Sequence, residues 1–192
     1  MGRWQPNARG RLAQAALELY GERGFEQTTV AEIAKRAGLT ERTFFRHYAD
    51  KREVLFAGGA VLEEHFVRAV TDAPASATPI DAVAAALETA GTVIVDREFS
   101  RKRQAIIASN ADLRERELIK LASLASALAG ALRRRGVADL PASLAAEAGI
   151  GVFKVAFERW IGEGERRDLP QLIRESFDEL KAVTAGSSGP RG

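Results

Sequence analysis

The sequence has no cysteine among its 192 residues, which removes disulfides, thiolate catalysis and every zinc site built on sulfur, and suits a reducing compartment. Histidine is almost as scarce, with only His47 and His65. Neither belongs to a metal-ligand cluster or a Ser-His-Asp order, and no Gly-rich phosphate loop is present, so no metal, no cofactor and no enzymatic activity are expected. Runs of β-branched residues are rare while Ala and Leu are abundant, which leaves little to build a sheet and predicts an all-α fold. Behind the first basic residues there is no apolar stretch of about 7–15 residues, and no run approaches the ~20 needed to cross a bilayer. No signal peptide, no membrane partner and a cytoplasmic location are therefore expected.

The chain is 46% hydrophobic and 28% charged, and its formal charge is only +2. The charge is unevenly spread. Residues 1–56 hold ten Lys and Arg against seven Asp and Glu, and the remainder holds eighteen against nineteen. A polyanion partner for the front of the chain is one reading; an ordinary solvated surface is the other, until a motif decides.

Leu12, Ala15, Ala16, Leu19 and Tyr20 recur at helical spacing between Ala8 and Arg23, and Gly24 follows as a helix stop. Thr29 and Glu32 have the spacing of a capping box, predicting a short helix to about Ala37. Gly38 then supplies a turn, and Thr40 can cap another short helix through about His47. Asp50 and Glu53 repeat the capping spacing for a longer helix to about Val70. After a connection rich in Ala, Ser, Thr and Pro, helices are predicted at 80–96, 98–110, 113–135, 143–163 and 169–185, about nine in all. Gly136 with Pro141, and Gly162 with Gly164, mark turns; residues 186–192 read as a disordered tail.

Two short helices joined by a Gly turn and followed by a longer helix form the pattern of a helix-turn-helix, although helical bundles contain such pairs too. The second helix separates the two readings. At 100° per residue Phe44 and Tyr48 lie on one side, Arg42 and Arg46 project from the other, and Thr43 and Phe45 flank the arginines. A helix that docks on its own domain through rings and reads a duplex through guanidinium groups needs this arrangement. Arg can bind guanine O6 and N7 bidentately, and a threonine methyl or a phenyl ring can touch a thymine methyl. The plainer alternative is that both arginines only solvate a surface, pairing with Glu41 or Glu22.

Residues 24–56, GFEQTTVAEIAKRAGLTERTFFRHYADKREVLF, resemble the DNA-binding signature of the TetR family. The match runs through the Thr-Thr-Val opening, the Ile-Ala pair, Ala-Gly before the turn, the Thr…Arg-His-aromatic helix and the Asp-Lys that follows. The resemblance implies an N-terminal three-helix DNA-binding domain, residues 1–56, and a helical domain for effector binding and dimerisation, residues 57–185. It also implies that Thr29, Thr40, Thr43, His47 and Lys51 contact phosphates or bases, Thr29 and Thr40 at helix N-termini. Family members usually carry tyrosine where this chain has Phe45, so a hydroxyl contact is missing there. Arg42 replaces a residue that is often small, which marks it for sequence discrimination. Arg3, Arg9 and Arg11, beside Trp4, form a possible basic arm.

The family likeness further implies a small-molecule effector and a homodimer formed through the last two helices. Leu172, Ile173, Phe177 and Leu180 make an apolar stripe. Leu144, Ala148, Val152, Ala156 and Trp160 cover more than one face of the preceding helix, where Gly149 allows close approach. These residues are the expected dimer interface, with a monomeric core as the alternative. His65, Phe66, Val93, Ile94, Phe99, Ile106, Ile107, Asn110, Leu121, Phe153 and Phe157 are candidate pocket residues for an apolar or amphipathic effector. Arg101-Lys102-Arg103 and Arg133-Arg134-Arg135 are further candidates for receiving an anionic group. The function these readings support is a sequence-specific transcriptional repressor, released from a near-palindromic operator by its effector. The alternative is a helical ligand- or protein-binding module without DNA binding.

Overall fold

A computed structural model describes residues 8–185, and Arg3 of the expected arm and the expected tail lie outside that range. Among the described residues there are nine α-helices and no strand: α1 (Ala8–Arg23), α2 (Val30–Arg36), α3 (Glu41–His47), α4 (Gly59–Asp72), α5 (Pro79–Glu88), α6 (Arg97–Ala108), α7 (Ala111–Arg134), α8 (Asp139–Ile161) and α9 (Leu169–Thr184). The first three sit where the caps put them. Thr29 Oγ1 accepts from Glu32 N, and the Glu32 carboxylate accepts from Thr29 N at 2.9 Å, completing the capping box of α2.

The fourth predicted helix is broken. Asp50 Oδ1 does accept from Glu53 N at 3.1 Å, but what it caps is a 3-10 turn, Glu53–Phe56. Gly58 and Gly59 follow, and α4 begins only there because two adjacent glycines raise the entropic cost of helix continuation. The predicted helix at 80–96 likewise stops at Glu88 and passes into a 3-10 turn, Thr89–Thr92. Pro141, read as a turn residue, lies instead in the first turn of α8, where its missing N–H has no helical partner to lose.

The chain divides into two compact units. The first contains the residues up to Gly58 together with Phe99–Glu117. The expected linear division at residue 56 did not include this second segment, most of α6 and the start of α7. Ile106, Ile107 and Leu113 share a core with Leu12, Leu19, Tyr20, Phe25, Ile33, Phe44, Tyr48 and Phe56. Polar contacts fasten the segment: Arg103 Nε donates to Leu55 O at 2.5 Å and Arg116 Nε to Glu53 Oε1 at 2.7 Å. Burial pushes the Arg103 pKa down, and Glu117 partly offsets it.

The second unit contains Gly59–Glu98 and the residues from Leu118 onward. There α8 packs on α5 and α9, and α5 also on α4 and α9. Ten of the 25 buried residues in its core cluster are alanine, so the helices approach closely. At Gly149 an added Cβ would stand 2.3 Å from Val83 Cγ1. Contrary to the expected lack of long apolar runs, α8 is long and apolar enough to cross a membrane, with a mean hydropathy of 1.4 over its best window. Close packing gives that apolarity a use, since 44% of the window is buried inside the protein.

Candidate nucleic-acid interface

The turn between α2 and α3 is closed by the backbone. Gly38 N donates to Lys35 O and Leu39 N to Ala34 O, the double closure of a helix that ends on a left-handed residue. Gly38 has φ +65°, a conformation that side chains with a Cβ rarely adopt. Arg11, expected in a basic arm, lies in α1 and donates to Ala37 O, the C-cap of α2. Arg9 is also used internally: it donates to Ala57 O at 2.7 Å, and its own carbonyl accepts from the Tyr48 hydroxyl at 3.0 Å.

Helix α3 separates its two faces sharply. Phe44 is fully buried and Tyr48 buried beside it, with ring centroids 5.5 Å apart. Arg42 and Arg46 are exposed, and neither guanidinium makes a hydrogen bond or ion pair among the described residues. Glu22, the partner weighed for them, is taken by Arg36 through two bonds of 2.9 Å, which hold its carboxyl below the usual range. Thr40 Oγ1 caps α3 through Thr43 N at 3.2 Å, and the two hydroxyls are 3.1 Å apart. Phe45 stands 55% exposed on the same side as the arginines.

Two residues expected at DNA, Lys51 and Thr29, are engaged within the domain, and a third, His47, has a buried ring nitrogen. The Lys51 ammonium donates to the carbonyls of Phe25, Glu26 and Thr28 at 2.9, 3.2 and 3.1 Å, and lies 4.5 Å from the centre of the Phe25 ring. All three of its protons thus close the 25–28 loop, and a phosphate would have to displace one. Thr29 gives both its N–H and its hydroxyl to the Glu32 carboxylate, so an acidic group already occupies that helix start. His47 turns its Nε2 into a buried position with no partner among the described residues.

The candidate pocket residues fall into both units. Phe99, Ile106 and Ile107 belong to the core of the first unit, and Asn110 donates to Glu26 and caps Leu113 N. Phe66, Phe153 and Phe157 form a row in the second unit, with ring centroids 5.9 and 6.1 Å apart, and Val93, Ile94 and Leu121 belong to the same unit. His65 bonds its own helix at Val61 O. Of the candidates, Ile106 lines a concavity of about 440 Å³ between α1 and α6, and none lines another of about 260 Å³ between α5 and α9. Both basic clusters are engaged as well: in the first, Arg103 pairs with Glu117; in the second, Arg133 pairs with Asp139, and Arg135 donates to Val70 O and Pro74 O at the C-terminal end of α4.

The expected dimer face is also redistributed. Ala156, Trp160, Leu172, Ile173 and Phe177 are buried in the chain's own core, as are Val152 and Gly149. Leu144 is exposed and Ala148 and Leu180 partly so, while Leu140 and Val155, absent from the expectation, are exposed on the same helix.

Residues 12–57 match the family model described as bacterial regulatory proteins, tetR family, and residues 77–185 match the MftR C-terminal domain, which covers more than half of the chain. The chain belongs to the TetR family. MftR of Mycobacterium tuberculosis, named for the regulation of mycofactocin biosynthesis, is 25% identical over 95% of this chain and 93% of its own length. TcmR of Streptomyces glaucescens, a transcriptional regulator, is 40% identical over 41% of this chain, a match that spans only 34% of TcmR. Among solved structures, the Bacillus subtilis regulator FadR in complex with stearoyl-CoA superposes with a TM-score of 0.62 at 21% identity, covering 93% of this chain and 99% of that one. This TetR-family chain is therefore a transcriptional regulator of the helix-turn-helix type, and α2 with α3 are its helix-turn-helix.

Proposed function

We propose that this regulator represses transcription as a homodimer bound to a near-palindromic operator, and leaves it when a small apolar or amphipathic molecule binds the second unit. The observation that carries the DNA assignment is the pair of exposed, unpartnered guanidinium groups on α3, Arg42 and Arg46, opposite the buried Phe44. Arg42, Thr43, Phe45 and Arg46 face the bases, and Thr40 faces a phosphate. Lys51 and Thr29 shape the domain from within. Two copies of α3 about 34–36 Å apart match one turn of duplex, which requires two subunits.

Leu140, Leu144, Ala148, Gly151 and Val155 recur at helical spacing on the outer side of α8, the face we assign to the second subunit. For the effector, the Phe66, Phe153 and Phe157 row favours an apolar ligand body, as does the acyl chain that the FadR neighbour holds. On this reading the protein works in the cytoplasm. The test is selection of bound genomic fragments by the full chain, followed by titration across a salt series. Affinity should fall steeply with salt, and Arg42→Ala with Arg46→Ala should erase preference for the selected sequence while leaving the fold intact. Unchanged selectivity in that double variant refutes the assignment.

A further inference from the structure

In the first unit, Phe45 is the one large apolar side chain left exposed among the described residues; every other exposed large hydrophobic lies in the second unit. Its ring is not loose. It meets Phe44 edge-on, with centroids 5.4 Å apart and planes at 81°, and Phe44 is fully buried, so the core sets the direction of the exposed ring. On the helical wheel Phe45 stands next to Arg42, and Thr43 next to Arg46, giving one face with a phenyl ring, two guanidinium groups and a hydroxyl.

Resting on the reading of α3 as the base-contacting helix, we infer that Phe45 reads the C5-methyl group of one thymine in each operator half-site. A phenyl ring has no donor for a phosphate and none for a base edge. The apolar group that the major groove offers is the thymine methyl. Burying that methyl against the ring removes apolar surface of both partners from water, worth about fourfold in affinity per methyl and about fifteenfold for two half-sites acting independently. Arg42 and Phe45, three residues apart, have Cβ atoms about 5–6 Å apart, and base pairs stack about 3.4 Å apart. The methyl read by Phe45 therefore lies within two base pairs of a guanine held by Arg42.

The experiment uses the full-length protein and a selected operator in which each thymine is replaced in turn by deoxyuridine, a change that deletes the methyl and keeps every hydrogen-bonding group. Affinity is read by fluorescence anisotropy at fixed salt. One thymine per half-site should cost about fourfold, the other thymines nothing, and the effect should vanish in Phe45→Ala, or in Phe45→Ser if Ala binds too weakly. A flat deoxyuridine scan overturns the inference, and so does a methyl effect that survives in Phe45→Ala, which would hand the contact to Thr43. In parallel, 7-deazaguanine removes the acceptor that arginine uses. If those substitutions weaken binding while the methyl scan is flat, the base-contacting reading of α3 stands and only the Phe45 role falls. If no duplex is preferred over random DNA, the base-contacting reading of α3 falls and takes the Phe45 role with it.

Discussion

The two units solve the same packing problem by different means. The core cluster of the first has five aromatic residues among its 17 buried members, and it is tied by side chains that reach backbone carbonyls: Arg11 to Ala37, Tyr20 to Lys51, Lys51 to the 25–28 loop, Arg103 to Leu55. The second is rich in alanine, which lets α5 and α8 approach closely, while α9 packs on them through Leu169, Leu172, Ile173 and Phe177. A small unit that must hold a seven-residue helix outward has too little core to position it by packing alone, and directional latches add the missing constraint. The larger unit has such latches too, Arg135 to Val70 O and Pro74 O and Arg97 to Glu165 O and Arg167 O, but it adds them to a larger packed core.

The sharpest break in that comparison lies inside α3. Phe44→Ala should destabilise the protein by about 3–5 kcal/mol, because a fully buried ring leaves a cavity, while Phe45→Ala next to it should change stability by less than about 0.5 kcal/mol. Urea unfolding of the two variants reads the difference directly. In the second unit the vulnerable point is a missing side chain. Gly149→Val should cost about 3 kcal/mol, the upper end for overpacking, since its Cβ alone meets Val83. Gly151→Val, where nothing stands within 4 Å, should leave folding nearly unchanged and act on dimerisation, read by sedimentation.

The latches of the first unit come next. Replacing Lys51 by Met removes three charge-assisted bonds to carbonyls and should cost about 2 kcal/mol of stability, partly offset by new loop hydration. The variant separates two roles. An internal latch predicts a lower urea midpoint and an unchanged salt slope of DNA binding, whereas a phosphate contact predicts an unchanged midpoint and a slope reduced by about one.

The same contrast explains what was readable in the sequence. Helices α1 to α3 are fixed by signals within four residues of one another, the Thr29 and Glu32 box, Gly38 and Thr40, and the structure follows them closely. The two faces of α3 followed from wheel arithmetic on Phe44, Tyr48, Arg42 and Arg46. Long-range partnerships left no local trace. Nothing in the sequence near Ile106 or Arg103 announces that this segment belongs with residues up to Gly58, and the charge of Lys51 says nothing of whether it meets a phosphate or three carbonyls. Helix α8 misled for a related reason. Its apolar residues extend round several faces because α5 and α9 both cover it, and that pattern looks the same as a core face joined to an interface. The accessible stripe emerged only from burial, with Leu140 and Leu144 out and Trp160 in.

The smallest expected effect tests a latch that acts through charge. Asp50 Oδ1 accepts from the N–H groups of Arg52 and Glu53 at 2.8 and 3.1 Å, and its other oxygen pairs with the Arg52 guanidinium at 2.8 Å. Chiefly through Arg52, with help from those N–H bonds and against some burial, the carboxyl is held below its ordinary range. A folded-state pKa below the unfolded value of about 3.9 means that the contribution is complete above that value and is lost as pH falls through the depressed one. The pair is more than a third exposed, at 39% and 51%, so solvent screening keeps its worth below about 1 kcal/mol. Asp50→Ala should therefore lie below the wild type at pH 7 by that amount, with the gap narrowing below pH 4 as the wild-type carboxylate is protonated. Other depressed acids, Glu22 and Glu32 among them, act equally in both proteins and cancel in the difference. A gap that stays constant down to pH 2 would mean that the side chain caps the Glu53–Phe56 turn by geometry alone, and that the ion pair with Arg52 adds nothing.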